Sequence, residues 1–198
     1  MHSVCVSITL LVCRTSESTT EPVTPSMFHW DALAADLVAV AAAQLGDALL
    51  DTPLVVVGDS MGAATALTAT ALEPGFRETV RGLVLMRPPN IWEAREKWKK
   101  VMAAAARRRE GRLQAVFLGS SETNLPPREI IAQVDVPVLL LGVRGDKVHP
   151  VESIEKLAEV LPHSTSVVVN SWEEAQTEFP AAIAAFYRES IGNAVSTR

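Results

Sequence analysis

The chain has 198 residues, 48% hydrophobic and 21% charged, with a formal net charge of −5 at pH 7. This is the size and balance of one globular domain with a single core. The acidic balance argues against nucleic acid or an anionic membrane surface as partner, and the two cysteines, Cys5 and Cys13, give neither a disulfide framework nor a metal-ligand spacing.

The first apolar stretch, Val4 to Cys13, lacks a basic flank and a following small-x-small cleavage site, and it is far too short to span a bilayer. It reads as a short sheet strand, and a cytoplasmic protein is the expectation. Arg14 to Ser26 is rich in Ser, Thr and Pro and reads as a loop. Met27 to Leu45 carries Phe28, Trp30, Leu33, Leu37 and Ala41 near helical spacing, and Gly46 follows as a stop.

Leu54 to Val57 has the β-branched bias of a strand buried on both faces. Gly58-Asp59-Ser60-Met61-Gly62 follows, and the Ala- and Leu-rich run after it reads as a buried helix ending at Pro74-Gly75. A serine at a sharp strand-to-helix turn, flanked by glycines, is the context of a nucleophile elbow. Both glycines are expected to be steric necessities. The turn lifts the hydroxyl above the sheet and aims the Met61 N–H, at the helix N-terminus, at a developing oxyanion.

Arg81 to Met86 reads as the next strand, halted by Pro88-Pro89. Ile91 to Arg112 is helical and strongly charged, with Arg95, Lys97, Lys99, Lys100, Arg107, Arg108, Arg109 and Arg112 on a solvated face. Gly119 to Asn124 reads as a loop, and Pro126-Pro127 starts a short helix with Ile130, Ile131 and Val134 as its apolar side. Val136 to Leu141 is another buried strand. His149-Pro150 opens an amphipathic helix with Val151, Ile154, Leu157, Ala158 and Leu161 on its apolar face and Pro150 at its first position. Ser166 to Val169 is the last strand. A final helical region from Trp172 to about Ser190 is interrupted at Pro180, with Phe179, Ile183 and Phe186 inward.

Alternating strands and helices call for an α/β fold, a mostly parallel sheet with helices on both faces, over residues 1–198 as one domain, with 91–125 as a short lid or connecting segment. Ligands of such sheets bind beyond the carboxyl ends of the strands, where Ser60 and the loop Gly142 to His149 both lie. No Gly-x-Gly-x-x-Gly, P-loop or metal cluster appears, so no cofactor and no metal are expected.

These residues resemble the α/β-hydrolase fold family. The resemblance rests on the elbow Gly58-Asp59-Ser60-Met61-Gly62, on Trp30-Asp31-Ala32-Leu33 and Arg81-Gly82-Leu83-Val84-Leu85, and on Val136 to Gly142 with Gly145-Asp146 and Pro150. It covers about residues 27–190 and is weakest over 91–125. It implies a serine nucleophile, Ser60, an acid, Asp146, and a histidine, in that chain order. It also implies a fold shortened at the N-terminus, because only Val4 to Cys13 precedes the first matched helix. The Gly-rich loop that would supply a second oxyanion donor is not visible, and one donor fewer costs about 3 kcal/mol of barrier.

The family's histidine normally follows the last strand. Here that place reads Val169-Asn170-Ser171-Trp172-Glu173-Glu174, in which Ser171 and Glu174 form a capping box. Of the four histidines, His2 is terminal, and His29 and His163 read as exposed or structural. His149 lies three residues after Asp146, at a helix N-terminus whose dipole favours the neutral ring that a base needs. Its weakness as a base is its closeness in sequence to Asp146. Asp59, directly before Ser60, is a variation with a local electrostatic effect on the serine.

Two readings follow. One is a serine hydrolase acting on an ester or similar small-molecule acyl substrate through Ser60, Asp146 and His149, with Met61 in the oxyanion hole. The other is a non-catalytic protein, degenerate or truncated, that keeps the scaffold and binds a small molecule or partner. The pattern carries no signal of oligomeric state.

Overall fold

The computed structural model describes residues 23–49 and 52–196, with side chains to residue 190. The strand expected at Val4 to Cys13 lies outside the described residues, as do Cys5, Cys13 and His2.

The described chain opens with a 3₁₀ turn, Pro25–Phe28, and helix α1, Trp30–Leu45, which stops at Gly46 with φ +53°. Strand β1, Leu54–Asp59, leads through Ser60 into α2, Met61–Leu72, and the short α3, Pro74–Thr79. Strand β2, Val80–Met86, is followed by α4, Trp92–Ala106, α5, Gly111–Glu122, and α6, Arg128–Ile131. Strand β3, Val138–Val143, α7, Val151–Val160, strand β4, Ser164–Val169, and α8, Trp172–Ser196, complete it.

The four strands are parallel and lie in chain order, β1-β2-β3-β4. All their carboxyl ends therefore open on one side. Strand residues alternate between two cores, as the period of two requires. Leu83, Leu85, Val138 and Leu140 face a cluster with Trp30 and Leu37 of α1, Leu67 of α2, and Ile154 and Leu157 of α7. Val84, Leu139, Leu141 and Val143 face a second cluster with Ala175 and Phe179 of α8. Covering on both faces is why β3 and most of β2 read as unbroken apolar runs, whereas β4, Ser-Thr-Ser-Val-Val-Val, is partly exposed. On α2 the contact face is largely alanine, which lets the helix lie close on β1 and β2.

Several local expectations change. The charged segment 91–112 is two helices broken at 107–110, not one. Its Arg95 is buried rather than solvated, 5% exposed, with its guanidinium on the Ser120 and Thr123 carbonyls at the end of α5 and over the Trp30 ring. Gly119 to Glu122 belongs to α5 instead of a loop. Gly119 is glycine because a Cβ there would overlap the Pro25 carbonyl, so a helix-weakening residue marks a close approach. On α7, Pro150 is the N-cap, Ala158 is exposed, and Ser153 takes the buried place. Helix α8 runs through Pro180 without a break: Pro180 and Gln176, whose carbonyl loses its helical donor, are both exposed.

Candidate active site

The strand β1 ends where a backbone turn is needed at once, because α2 packs back on the same sheet. Ser60 makes that turn with φ +55° and ψ −119°, a conformation L-residues rarely adopt. Its N–H donates to the Met86 carbonyl at 2.9 Å, which ties the turn to the end of β2. A Cβ on Gly58 would overlap the Gly62 carbonyl and stand 2.7 Å from the Ala63 nitrogen, so strand and helix meet there without room for a side chain. Gly62 differs from expectation: a Cβ there meets nothing within 4 Å. The crowding is one-sided, because Gly58 points at the helix backbone while Gly62 points into open space.

Beyond β3, Gly145 takes φ +80° and the chain folds back on Asp146. One carboxylate oxygen of Asp146, Oδ1, accepts the backbone N–H groups of Val148 (2.9 Å) and His149 (3.1 Å). The other, Oδ2, stands 2.9 Å from His149 Nδ1. Closeness in sequence is therefore no obstacle to a pair: the side chain caps its own loop and the loop returns the imidazole to it. The two side chains are 10% and 13% exposed. Burial pushes the Asp146 carboxyl up, but the hydrogen bonds from the His149 ring and from the His149 and Val148 N–H groups outweigh it, and the carboxyl titrates below its ordinary value.

The far nitrogen of the same ring, Nε2, lies 2.8 Å from Ser60 Oγ. An ionised carboxylate only accepts, so Nδ1 carries the hydrogen of the neutral ring and Nε2 is left to accept the serine proton. Met61 is the first residue of α2, so its N–H has no intrahelical acceptor and sits beside the hydroxyl. The structure thus brings together Ser60, Met61, Asp146 and His149. The arrangement can take a proton from Ser60 and hold negative charge near Met61.

The other two described histidines stand elsewhere. His29 Nε2 pairs with Glu122 Oε2 at 3.0 Å on an exposed face, and His163 lies before β4 at the amino end of the sheet, its carbonyl accepting the Val138 N–H. After β4, Ser171 Oγ accepts the Glu174 N–H (3.1 Å), while Glu174 Oε2 reaches the Asn170 N–H (2.7 Å), one residue earlier than in a regular capping box. Next comes Trp172, 52% exposed, its ring 5.2 Å from the Arg87 guanidinium.

Arg87 was not singled out by sequence. It holds Asp59 through both carboxylate oxygens, Nε to Oδ1 at 2.8 Å and Nη2 to Oδ2, and its N–H donates to the Leu141 carbonyl at 2.7 Å. The signal is the register: Asp59 at the end of β1 lies level with Met86, the residue directly before Arg87. Among the described residues, no group of His, Cys, Asp and Glu could hold a metal ion, and no helix is long and apolar enough to cross a membrane.

No family model matches this sequence, and no curated protein matches it. Solved structures do. A thermophilic esterase from Thermogutta terrifontis superposes with a TM-score of 0.62 at 20% identity, covering 90% of this chain and 76% of its own. The esterase EaEST of Exiguobacterium antarcticum gives 0.64 at 14% identity, over 82% and 75%. MGS-M2, an alpha/beta hydrolase enzyme from a deep-sea metagenome library of the Medee basin, gives 0.61 at 15%, over 92% and 82%.

Proposed function

We propose that this chain, which has the α/β-hydrolase fold, is a serine hydrolase acting on an ester or related small-molecule acyl substrate. The observation that carries the reading is the unbroken hydrogen-bonded line from Ser60 Oγ through both nitrogens of His149 to Asp146. A scaffold emptied of chemistry has no reason to keep a serine in a strained turn and a base 2.8 Å from it.

The proposed steps follow from the geometry. Ser60 Oγ attacks the acyl carbon while His149 Nε2 takes its proton. The carbonyl oxygen becomes an oxyanion beside the Met61 N–H, and the Asp146 carboxylate, still ionised, balances the imidazolium. The tetrahedral intermediate collapses, the bond to the leaving oxygen breaks, and that oxygen takes the proton from Nε2. Water then loses a proton to Nε2 and attacks the acyl-enzyme, and the acid leaves as Ser60 regains its hydrogen. Esters fit best, because an alkoxide or phenoxide leaves with less protonation than an amine.

The test is a fluorophosphonate probe and intact mass, beside Ser60→Ala. A mass shift in the parent alone is the expected result. A folded parent that does not react would favour a non-catalytic scaffold.

A further inference from the structure

Asp59 is an ionisable side chain next to the proposed nucleophile, and the mechanism above gives it no task. A lone carboxylate there would oppose the charge that develops on the substrate oxygen at Met61, two residues on. The chain does not leave it alone. Arg87 covers both oxygens, and the pair is only partly exposed, 27% at the arginine and 37% at the aspartate.

The same two residues at the end of β2 hold both residues of the turn. Met86 accepts the Ser60 N–H and Arg87 holds the Asp59 side chain. Arg87 itself has φ +46°, uncommon for a side chain of its size, and its N–H is fixed on Leu141 of β3. Trp172, at the start of α8, lies over its guanidinium. One arginine thus links the ends of β1 and β3 and the start of α8.

Building on the hydrolase reading, we propose that Arg87 is a positioning residue for Ser60: it braces the turn through Asp59 and cancels the carboxylate charge beside the developing oxyanion. The two parts separate by charge. Arg87→Gln exchanges the charged fork for one neutral amide donor and leaves the Asp59 charge uncancelled, whereas Asp59→Asn with Arg87→Gln keeps an amide contact and removes both charges, so recovery in the double variant reports the charge part.

The experiment compares 4-nitrophenyl acetate hydrolysis and fluorophosphonate inactivation of Ser60 in the parent, Arg87→Gln, Asp59→Asn and the double variant, each verified as folded by circular dichroism. Arg87→Gln is expected to lower kcat and the inactivation rate about tenfold or more, with KM within about twofold. The double variant is expected to recover at least about threefold of that loss, which a purely structural contact would not do. Arg87→Gln within about twofold of the parent, or a double variant no faster than Arg87→Gln, overturns the proposal while leaving the hydrolase reading standing. A folded parent that the probe does not label at Ser60 overturns that reading and this one together. Should Arg87→Gln fail to fold, Arg87→Lys, which keeps the charge without the fork, decides the brace, a kcat loss of about threefold supporting it and a parent-like kcat overturning it. Arg87→Met with and without Asp59→Asn then decides the charge part, which is overturned if the double variant shows no recovery.

Discussion

The carboxylate of Asp146 grips His149 twice, by the ring Nδ1 with one oxygen and by the backbone N–H with the other. Ring orientation and loop conformation are thereby set by one side chain. Removing the ring should leave the loop intact, since Oδ1 still caps it. His149→Ala is therefore expected to lower ester hydrolysis and fluorophosphonate labelling by about a thousandfold or more, at a stability cost of about 1–3 kcal/mol from the bond that Asp146 Oδ2 loses. Labelling rates beside thermal melts of the same preparations check this; a parent-like rate would exclude His149 as the base.

Asp146→Asn should cost about a hundredfold to ten-thousandfold in kcat, because an amide can hold the wrong ring tautomer. It also has a pH signature. The folded chain holds this carboxyl below its ordinary value of 3.8, so it ionises more readily when folded than when unfolded. Its contribution to stability is full above the unfolded pKa and is lost as pH falls through the lower, folded one. The difference in Tm between parent and variant should be largest near neutrality and shrink below about pH 4. A difference that stays constant down to pH 2 would contradict the assigned hydrogen bonds.

The elbow glycines should behave unlike each other. Gly58→Ala places a Cβ against the Gly62 carbonyl and must push strand and helix apart, so loss of both labelling and several kcal/mol of stability is expected. Gly62→Ala meets open space within a helix and is expected to stabilise by about 0.5–1 kcal/mol. Urea unfolding of the two variants separates them, and equal effects would refute the one-sided packing.

Among the described residues Arg95 makes no salt bridge, and burial, only partly offset by the charge of Glu96, pulls its guanidinium down to about 10. It is held by the Ser120 and Thr123 carbonyls at the end of α5 and by the Trp30 face. Arg95→Ala is expected to cost about 2–4 kcal/mol in urea unfolding, and Arg95→Lys to recover only part, since an ammonium cannot fork between two carbonyls. A cost under about 0.5 kcal/mol, the range of an ordinary surface change, would rule the anchor out.

Strands β2 and β3 are legible because covering on both faces forces long apolar runs, β1 and β4 by their valine runs, and Ser60 is legible because its turn needs a glycine in a fixed place. Asp146 and His149 could be picked out by their position at the end of β3, but their contact could not. It depends on a loop that closes on its own side chain. Arg87 is not legible for another reason: its partner Asp59 is 28 residues away, and only the register that sets Asp59 level with Met86 brings the next residue within reach. Gly119 and Pro180 misled because each is a helix breaker on average, and each sits where the average does not apply: one against a neighbouring carbonyl, the other on a solvated face.

With acid and base in one four-residue turn, the relay has few moving parts. In a triad whose histidine follows the last strand, two separate loops must stay aligned on the nucleophile. Here residues 146–149 are tied to one another by three hydrogen bonds, and the contact of His149 Nε2 with Ser60 Oγ joins them to the elbow. The loop is tied to the end of β4, where the Val169 carbonyl accepts the Arg144 N–H at 2.8 Å, so a substitution that shifts the end of β4 is expected to move Asp146 and His149 together.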